Sequence, residues 1–179
     1  KADLCYIFIT NAYFKEFKLG YWYGYRNIQK MKSKDYLRIA SRALFKPKNA
    51  LPEYVIFFVT DKCNAKCEHC FYWDSLNKNN KELSIEEIEK LSKTMGRFLY
   101  LALTGGEPFI RNDLDKIKKI FHKNNGVNTI AVSTNASLTK PSLKMVESVL
   151  KDNGCRNLNL VINISLDGLR EVHDEVRKL

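Results

Sequence analysis

From Pro52 onward, apolar β-rich runs alternate with amphipathic stretches, and this rhythm restricts the fold more than any other feature. Tyr54–Thr60 (YVIFFVT) is apolar throughout and rich in β-branched and aromatic residues, the pattern of a strand buried on both faces. Similar runs recur at Leu99–Leu103, Thr129–Ser133 and Leu158–Ser165. Helical patterns lie between them. Ser84 opens one, and Glu87 completes a capping box with it, while Ile85, Ile88 and Leu91 mark its inner face. Asn112–Lys123 turns Leu114, Ile117, Ile120 and Phe121 inward. Pro141–Asp152 carries its proline where a first helical turn tolerates it, and a further helix begins near Gly168. Strands so regularly separated by helices form a parallel sheet with right-handed crossovers. A closed eightfold barrel takes about 250 residues, so the 179 residues here imply an open parallel sheet or the first part of a larger barrel. The expected class is α/β, a partial (βα) barrel with about four parallel strands.

The segment before Pro52 has a different character. Ala2–Lys48 reads as helical with a break near Gly20–Gly24. Leu4, Ile7, Phe8 and Phe14, and later Tyr36, Ile39, Ala40, Ala43 and Leu44, fall near helical spacing. Lys46-Pro47-Lys48-Asn49 punctuates the chain, giving a boundary between a basic aromatic segment at 1–50 and a core at 51–179. Of the formal charge of +10, residues 1–53 contribute 11 Lys/Arg against 4 Asp/Glu. Such a segment suits anionic lipid, nucleic acid or an acidic partner. The simpler reading adopted is a solvated helical face with aromatics packed on the core. Membrane-surface contact through 1–50 is its alternative, and no specific nucleic acid is expected. The 45% apolar and 28% charged content excludes a disordered chain. No apolar run reaches membrane-span length, and the first residues do not form a signal peptide. A cytoplasmic location follows as an expectation, as does a chain that is part of something longer, since Lys1 is not a methionine.

The five cysteines are unevenly spread, and Cys63, Cys67 and Cys70 lie within eight residues. A disulfide scaffold would distribute them along a short secreted chain; clustering argues for metal. The spacing is C-x3-C-x2-C, in the loop directly after the first core strand. Thiolates suit zinc or iron–sulfur. A structural zinc takes four closed ligands and an ordinary [4Fe–4S] cluster four cysteines. No fourth is present in the loop. Cys155 falls at the opposite end of a parallel sheet and Cys5 in the N-terminal segment, so both read as buried structural thiols. Three protein ligands leave one iron open to an exogenous group.

Each of the other strand ends also carries a polar or glycine motif: Thr104-Gly105-Gly106-Glu107-Pro108, Ser133-Thr134-Asn135, and Ser165-Leu166-Asp167-Gly168 with His173, Asp174 and Arg177 beyond it. Ligands of parallel α/β folds gather at the carboxyl ends of strands. Singly, each motif has an ordinary alternative: GG pairs make turns, and strand-end Ser or Asp caps the next helix. Together they resemble the radical SAM superfamily over about Tyr54–Arg177. The resemblance implies that Cys63, Cys67 and Cys70 hold a [4Fe–4S] cluster whose open iron is chelated by S-adenosylmethionine (SAM). One electron from the cluster then splits SAM to a 5′-deoxyadenosyl radical that abstracts hydrogen from a substrate. It implies SAM contacts from Gly105, Gly106 and Glu107, with Glu107 facing the ammonium group, and from Ser133, Asn135, Ser165 and Asp167. Where the family often has Gly after the Asn, this chain has Ala136. Phe71, Tyr72 and Trp73 are read as shielding the cluster or stacking near adenine, with Tyr72 the candidate contact, and His69 as packing near adenine.

The Ser165–Arg177 run resembles the branch whose members often carry a SPASM-type domain, which brings a peptide into view as substrate. An electron donor such as flavodoxin or ferredoxin is the expected partner. The competing readings are a non-catalytic iron–sulfur or zinc module, and an inactive truncated homologue.

Overall fold

The computed structural model describes residues 5–10, 33–45, 52–78, 81–155 and 157–178. Its strands are β1 (Cys5–Thr10), β2 (Tyr54–Thr60), β3 (Tyr100–Gly105), β4 (Thr129–Thr134) and β5 (Asn159–Ser165). Its helices are α1 (Ser33–Phe45), α2 (Ile85–Thr94), α3 (Leu114–Asn125), α4 (Thr139–Lys151) and α5 (Arg170–Arg177). From β2 on, strand and helix alternate strictly. The strands pair in parallel in the order β1-β5-β4-β3-β2.

Register decides which side chains meet. Leu101 lies opposite Ile130, and Ile130 opposite Leu160. Because a strand alternates its faces, Leu101, Leu103, Ile130, Val132, Leu160 and Ile162 point the same way. Against them pack Ile88 of α2, Ile117 and Phe121 of α3, and Met145 and Val149 of α4, forming one apolar core. Each such burial contributes about 1.5–3 kcal/mol. Phe98 and Phe57 meet Phe121 edge-on at ring distances of 6.0 and 5.5 Å. The helix starts and stops follow local chemistry. Ser84 and Glu87 form a complete capping box at α2, and Gly126 ends α3 in the left-handed conformation at φ +64°. None of the described helices is long and apolar enough to cross a membrane.

The four core strands and their helices lie where the alternation places them. The N-terminal segment departs from the helical expectation. α1 is helical, but Cys5–Thr10 is a strand, paired in parallel with β5 from Cys5 opposite Leu160 to Thr10 opposite Ser165. CYIFIT is apolar, β-branched and aromatic, so a short run fits either period and pairing decides. The rest of the 1–50 expectation lies outside the described residues. β2 also differs from a strand buried on both faces. It is an edge strand with Tyr54, Ile56 and Phe58 exposed on one side, where Tyr54 stacks on Tyr100 at 4.5 Å. Three short 3-10 turns, Trp73–Ser75, Pro108–Ile110 and Asn153–Cys155, lie between these elements without a signal in the sequence.

Candidate functional site

The carboxyl ends of β2, β3, β4 and β5 open on one cavity of about 300 Å³. Cys63, Cys67 and Cys70 line it, with Gly105, Gly106, Glu107, Ser133, Asn135, Ser165 and Arg177. Residues far apart in sequence therefore share one wall because their strands are parallel and in register.

The cysteine loop is held in shape by neighbours on both sides. Asn77, at φ +55°, receives the Cys63 amide on its Oδ1 at 3.0 Å and donates from Nδ2 to the Cys63 carbonyl at 3.1 Å. It does for Cys63 what a paired strand would do. The Ala65 amide donates to the Cys63 sulfur at 3.4 Å. Beyond it, the amides of Lys66 and Glu68 donate to the Arg177 and Val176 carbonyls at 3.2 and 3.0 Å. The carbonyls of the last turn of α5 thus find donors in the loop, and the loop is fixed on both sides of Cys67.

Gly105 and Gly106 serve close approach between backbones. A Cβ on Gly105, which sits at φ +129°, would lie 2.2 Å from the Thr60 carbonyl oxygen, and one on Gly106 would lie 2.1 Å from that of Lys62. In the space a side chain would take, the Gly106 amide donates to Thr60 O at 2.9 Å and the Glu107 amide to Lys62 O at 2.8 Å. The GG turn is thereby laced to the start of the cysteine loop.

Glu107 is 1% exposed. Its Oε1 accepts from the Phe109 amide at 3.1 Å and the Thr134 hydroxyl at 2.8 Å, and its Oε2 from the Asn135 amide at 2.8 Å. Burial pushes its pKa above the usual carboxylate value, against these three hydrogen bonds. The carboxylate therefore ties the end of β3 to the end of β4 while facing the cavity. Asn135 is similarly engaged: Nδ2 donates to Asn64 at 3.0 Å, and Oδ1 accepts from the Ser137 amide at 3.0 Å and hydroxyl at 2.6 Å. Ala136 stands at φ +62°, in the left-handed region that favours the glycine the resemblance would place there.

Cys63, Cys67 and Cys70 are free and half-buried. Burial pushes the Cys63 thiol up, with Glu107 nearby acting in the same direction, and pushes Cys67 up against the opposing charge of Arg177. Among the described residues, no three His, Cys, Asp or Glu side chains are gathered tightly enough to grip a metal ion as they stand. The donor set nevertheless fits an iron–sulfur group: three soft thiols from one loop face a cavity far roomier than a single ion needs.

Two anticipated contacts lie elsewhere. Tyr72 does not line this cavity. Its ring packs on Phe58 at 5.1 Å, and it borders a second depression with Asp61, Glu82 and Arg111. Asp167 is buried behind the wall, ion-paired to Arg177. His69 lines the cavity, with Nε2 4.0 Å from Asp167 Oδ1. Phe71 also lines it and is 89% exposed. Cys155 is buried at the amino end of β5, away from the site. Asn64 and Asn77 are scaffold residues with no signal in the sequence, while Thr134, the middle of the Ser133-Thr134-Asn135 motif, braces Glu107.

Residues 57–179 match the radical SAM superfamily. The chain belongs to this superfamily. It is 36% identical over 122 residues to a GTP 3′,8-cyclase of Clostridium botulinum (strain Okra / Type B1), covering 66% of this chain and 36% of that protein. It is 31% identical over 124 residues to the GTP 3′,8-cyclase of Alkaliphilus oremlandii (strain OhILAs), covering 66% of this chain and 38% of that one. Among solved structures, native anSMEcpe with bound AdoMet and Cp18Cys peptide shares the fold, with a TM-score of 0.51 at 22% identity, covering 71% of this chain and 35% of that chain. The radical SAM chain described here thus spans little more than a third of the length of these relatives. The residues that match the superfamily, 57–179, contain all four strand-end motifs.

Proposed function

We propose that this chain is the cofactor-handling part of a radical SAM enzyme, with Cys63, Cys67 and Cys70 holding a [4Fe–4S] cluster and the β3, β4 and β5 ends binding SAM. The observation that carries this reading is the shared cavity. Three free thiols face the Gly105-Gly106-Glu107 turn, Ser133 and Ser165 across a space of about 300 Å³, within the size range of small-molecule sites. A bound cluster would supply one electron to the sulfonium of SAM, leaving methionine and a carbon radical able to take hydrogen from a substrate. The chain's residues bind and orient. Glu107 presents a buried negative charge to the SAM ammonium group, and the glycine turn, laced to the start of the cysteine loop, holds that carboxylate beside the thiols. Ser133 and Ser165, half-buried on the same wall, offer hydroxyls to the remaining polar atoms. Phe71 and His69 cover the cysteine side. The electron comes from an external donor of the flavodoxin or ferredoxin kind.

The shared stretch is common to relatives whose names specify GTP in one case and a bound peptide in the other. The reading therefore extends to cofactor handling and stops before the substrate.

Anaerobic reconstitution tests it. The expected product is brown, carries about four irons per chain by the stoichiometry of the cluster, and cleaves SAM only with reductant. Cys63→Ala, Cys67→Ala and Cys70→Ala should each lose iron and cleavage, while Cys155→Ala keeps both. A colourless protein carrying one zinc, or equal loss in Cys155→Ala, would overturn the assignment.

A further inference from the structure

Arg177 is the one charged side chain that reaches both a cluster cysteine and a buried counter-ion among the described contacts. It closes the last turn of α5. Its Nη1 lies 3.8 Å from Cys67 Sγ, and its Nε donates to Asp167 Oδ2. The pair is secluded: side-chain exposure is 12% for Arg177 and 0% for Asp167. The backbone fixes the approach, because the Arg177 and Val176 carbonyls take the amides of Lys66 and Glu68, the residues flanking Cys67. The backbone of Arg177 is thereby tied to the loop, and the ion pair with Asp167 holds its guanidinium beside the sulfur. By contrast Arg170, on the same helix, is 93% exposed and pairs only with Asp174.

Resting on the cluster reading above, we propose that Arg177 sets the reduction potential of the cluster through its N–H···S contact with Cys67, and that Asp167 is the positioning residue that aims it. A cluster that gains an electron gains negative charge, part of it on the ligand sulfurs. A fixed cation and an N–H aimed at one of them stabilise the reduced form and raise the potential. Two features make the contact effective. It is largely shielded from water, and charge interactions are strongest where water is excluded; and its donor is held in place by the ion pair to Asp167. Asp167 offsets part of the distant field of Arg177, but it binds the far side of the guanidinium. The positive end of the pair is therefore the end facing sulfur. Asp167 is itself braced, since its amide donates to His173 Nδ1 at 3.3 Å and His69 stands 4.0 Å from its Oδ1.

The test is a redox titration of the whole chain, reconstituted without SAM, with the reduced cluster followed by EPR. Iron and sulfide are measured first. Arg177→Gln should lower the midpoint potential by the equivalent of roughly tenfold weaker electron affinity, about 59 mV for a one-electron couple. Arg177→Lys keeps the charge but loses the fork and should shift part of the way. Asp167→Asn should shift in the same direction as Arg177→Gln, because the guanidinium is no longer aimed. Arg170→Gln removes the same charge from the surface and should leave the potential unchanged. If Arg177→Gln fails to retain iron, Arg177→Lys and Asp167→Asn decide. Potentials indistinguishable from that of Arg170→Gln would overturn the inference while leaving the cluster reading intact. A wild-type chain that takes up no iron would overturn both, and the iron assay reports that separately.

Discussion

Replacing Glu107 by Gln isolates the scaffolding role of this side chain from its charge. The carboxylate accepts three hydrogen bonds in a place where water does not reach. Gln has one acceptor oxygen and one NH2. With the oxygen kept at the Oε2 position, it still receives the Asn135 amide. The NH2 then sits at Oε1, where it can donate to the Thr134 hydroxyl but faces the Phe109 amide, also a donor. One buried N–H is stranded, at a cost of about 1–3 kcal/mol. Glu107→Ala strands all three donors and leaves a void, at a cost of about 3–6 kcal/mol allowing for relaxation. For a chain of this size each kcal/mol moves the melting temperature by about 2–4 °C, so the Gln variant should melt about 2–12 °C below wild type and the Ala variant lower again. Thermal unfolding of the apo chains, followed by circular dichroism, measures this. SAM titration of the reconstituted proteins, well below all three melts, should show both variants weakened about tenfold or more, the effect of losing some 1.4 kcal/mol of charge pairing. Wild-type melting in Glu107→Ala would refute the hydrogen-bond reasoning, and unchanged SAM affinity in Glu107→Gln would refute the ammonium contact.

Gly106→Ala should cost about 1–3 kcal/mol through overpacking, because its Cβ would lie 2.1 Å from a backbone oxygen; an unchanged melting curve counts against the close approach. Ala136→Gly should stabilise by roughly 0.5–1 kcal/mol, the relief of a left-handed alanine exceeding the extra freedom of glycine when unfolded, and denaturant titration reads the sign directly. Lys118 is buried, its Nζ has no hydrogen-bond partner among the described residues, and burial holds its pKa below the ordinary lysine value. The folded chain therefore binds this proton less tightly than the unfolded one, and its stability falls as pH drops from the ordinary value near 10.4 through the depressed one. Lys118→Met should be more stable at neutral pH by about 1–3 kcal/mol, with a lead that narrows as pH rises; parallel stability curves would contradict this.

The alternation of strand and helix was legible because each core element carries its own periodicity and end signals, as at Ser84 and Glu87. The site was legible because parallel strands must bring their carboxyl ends together. What escaped were features fixed by distant partners. Cys5–Thr10 looked helical because nothing nearby in sequence reveals that β5 offers it a pairing edge. Asn77 carries no local signal, yet it clasps both backbone groups of Cys63. Closeness to Cys70 in the sequence puts Phe71 at the cavity but not Tyr72, whose ring packs on Phe58. The resemblance points Asp167 toward SAM, whereas its ion pair with Arg177, ten residues on, has no local signal in the sequence.

The lacing of the cysteine loop to the end of α5 also fixes an order of events during synthesis. Cys67 and Arg177 are separated by 110 residues. At cellular elongation rates, roughly 5–20 s pass between the two leaving the ribosome's active centre. Throughout that interval the amides of Lys66 and Glu68 lack their final acceptors, and the loop has no wall on its Arg177 side. The thiols are thus made early and sheltered late. Nascent chains stalled before Val176 should react with an alkylating reagent faster than chains released after Lys178, and equal rates would show that the loop settles without the helix.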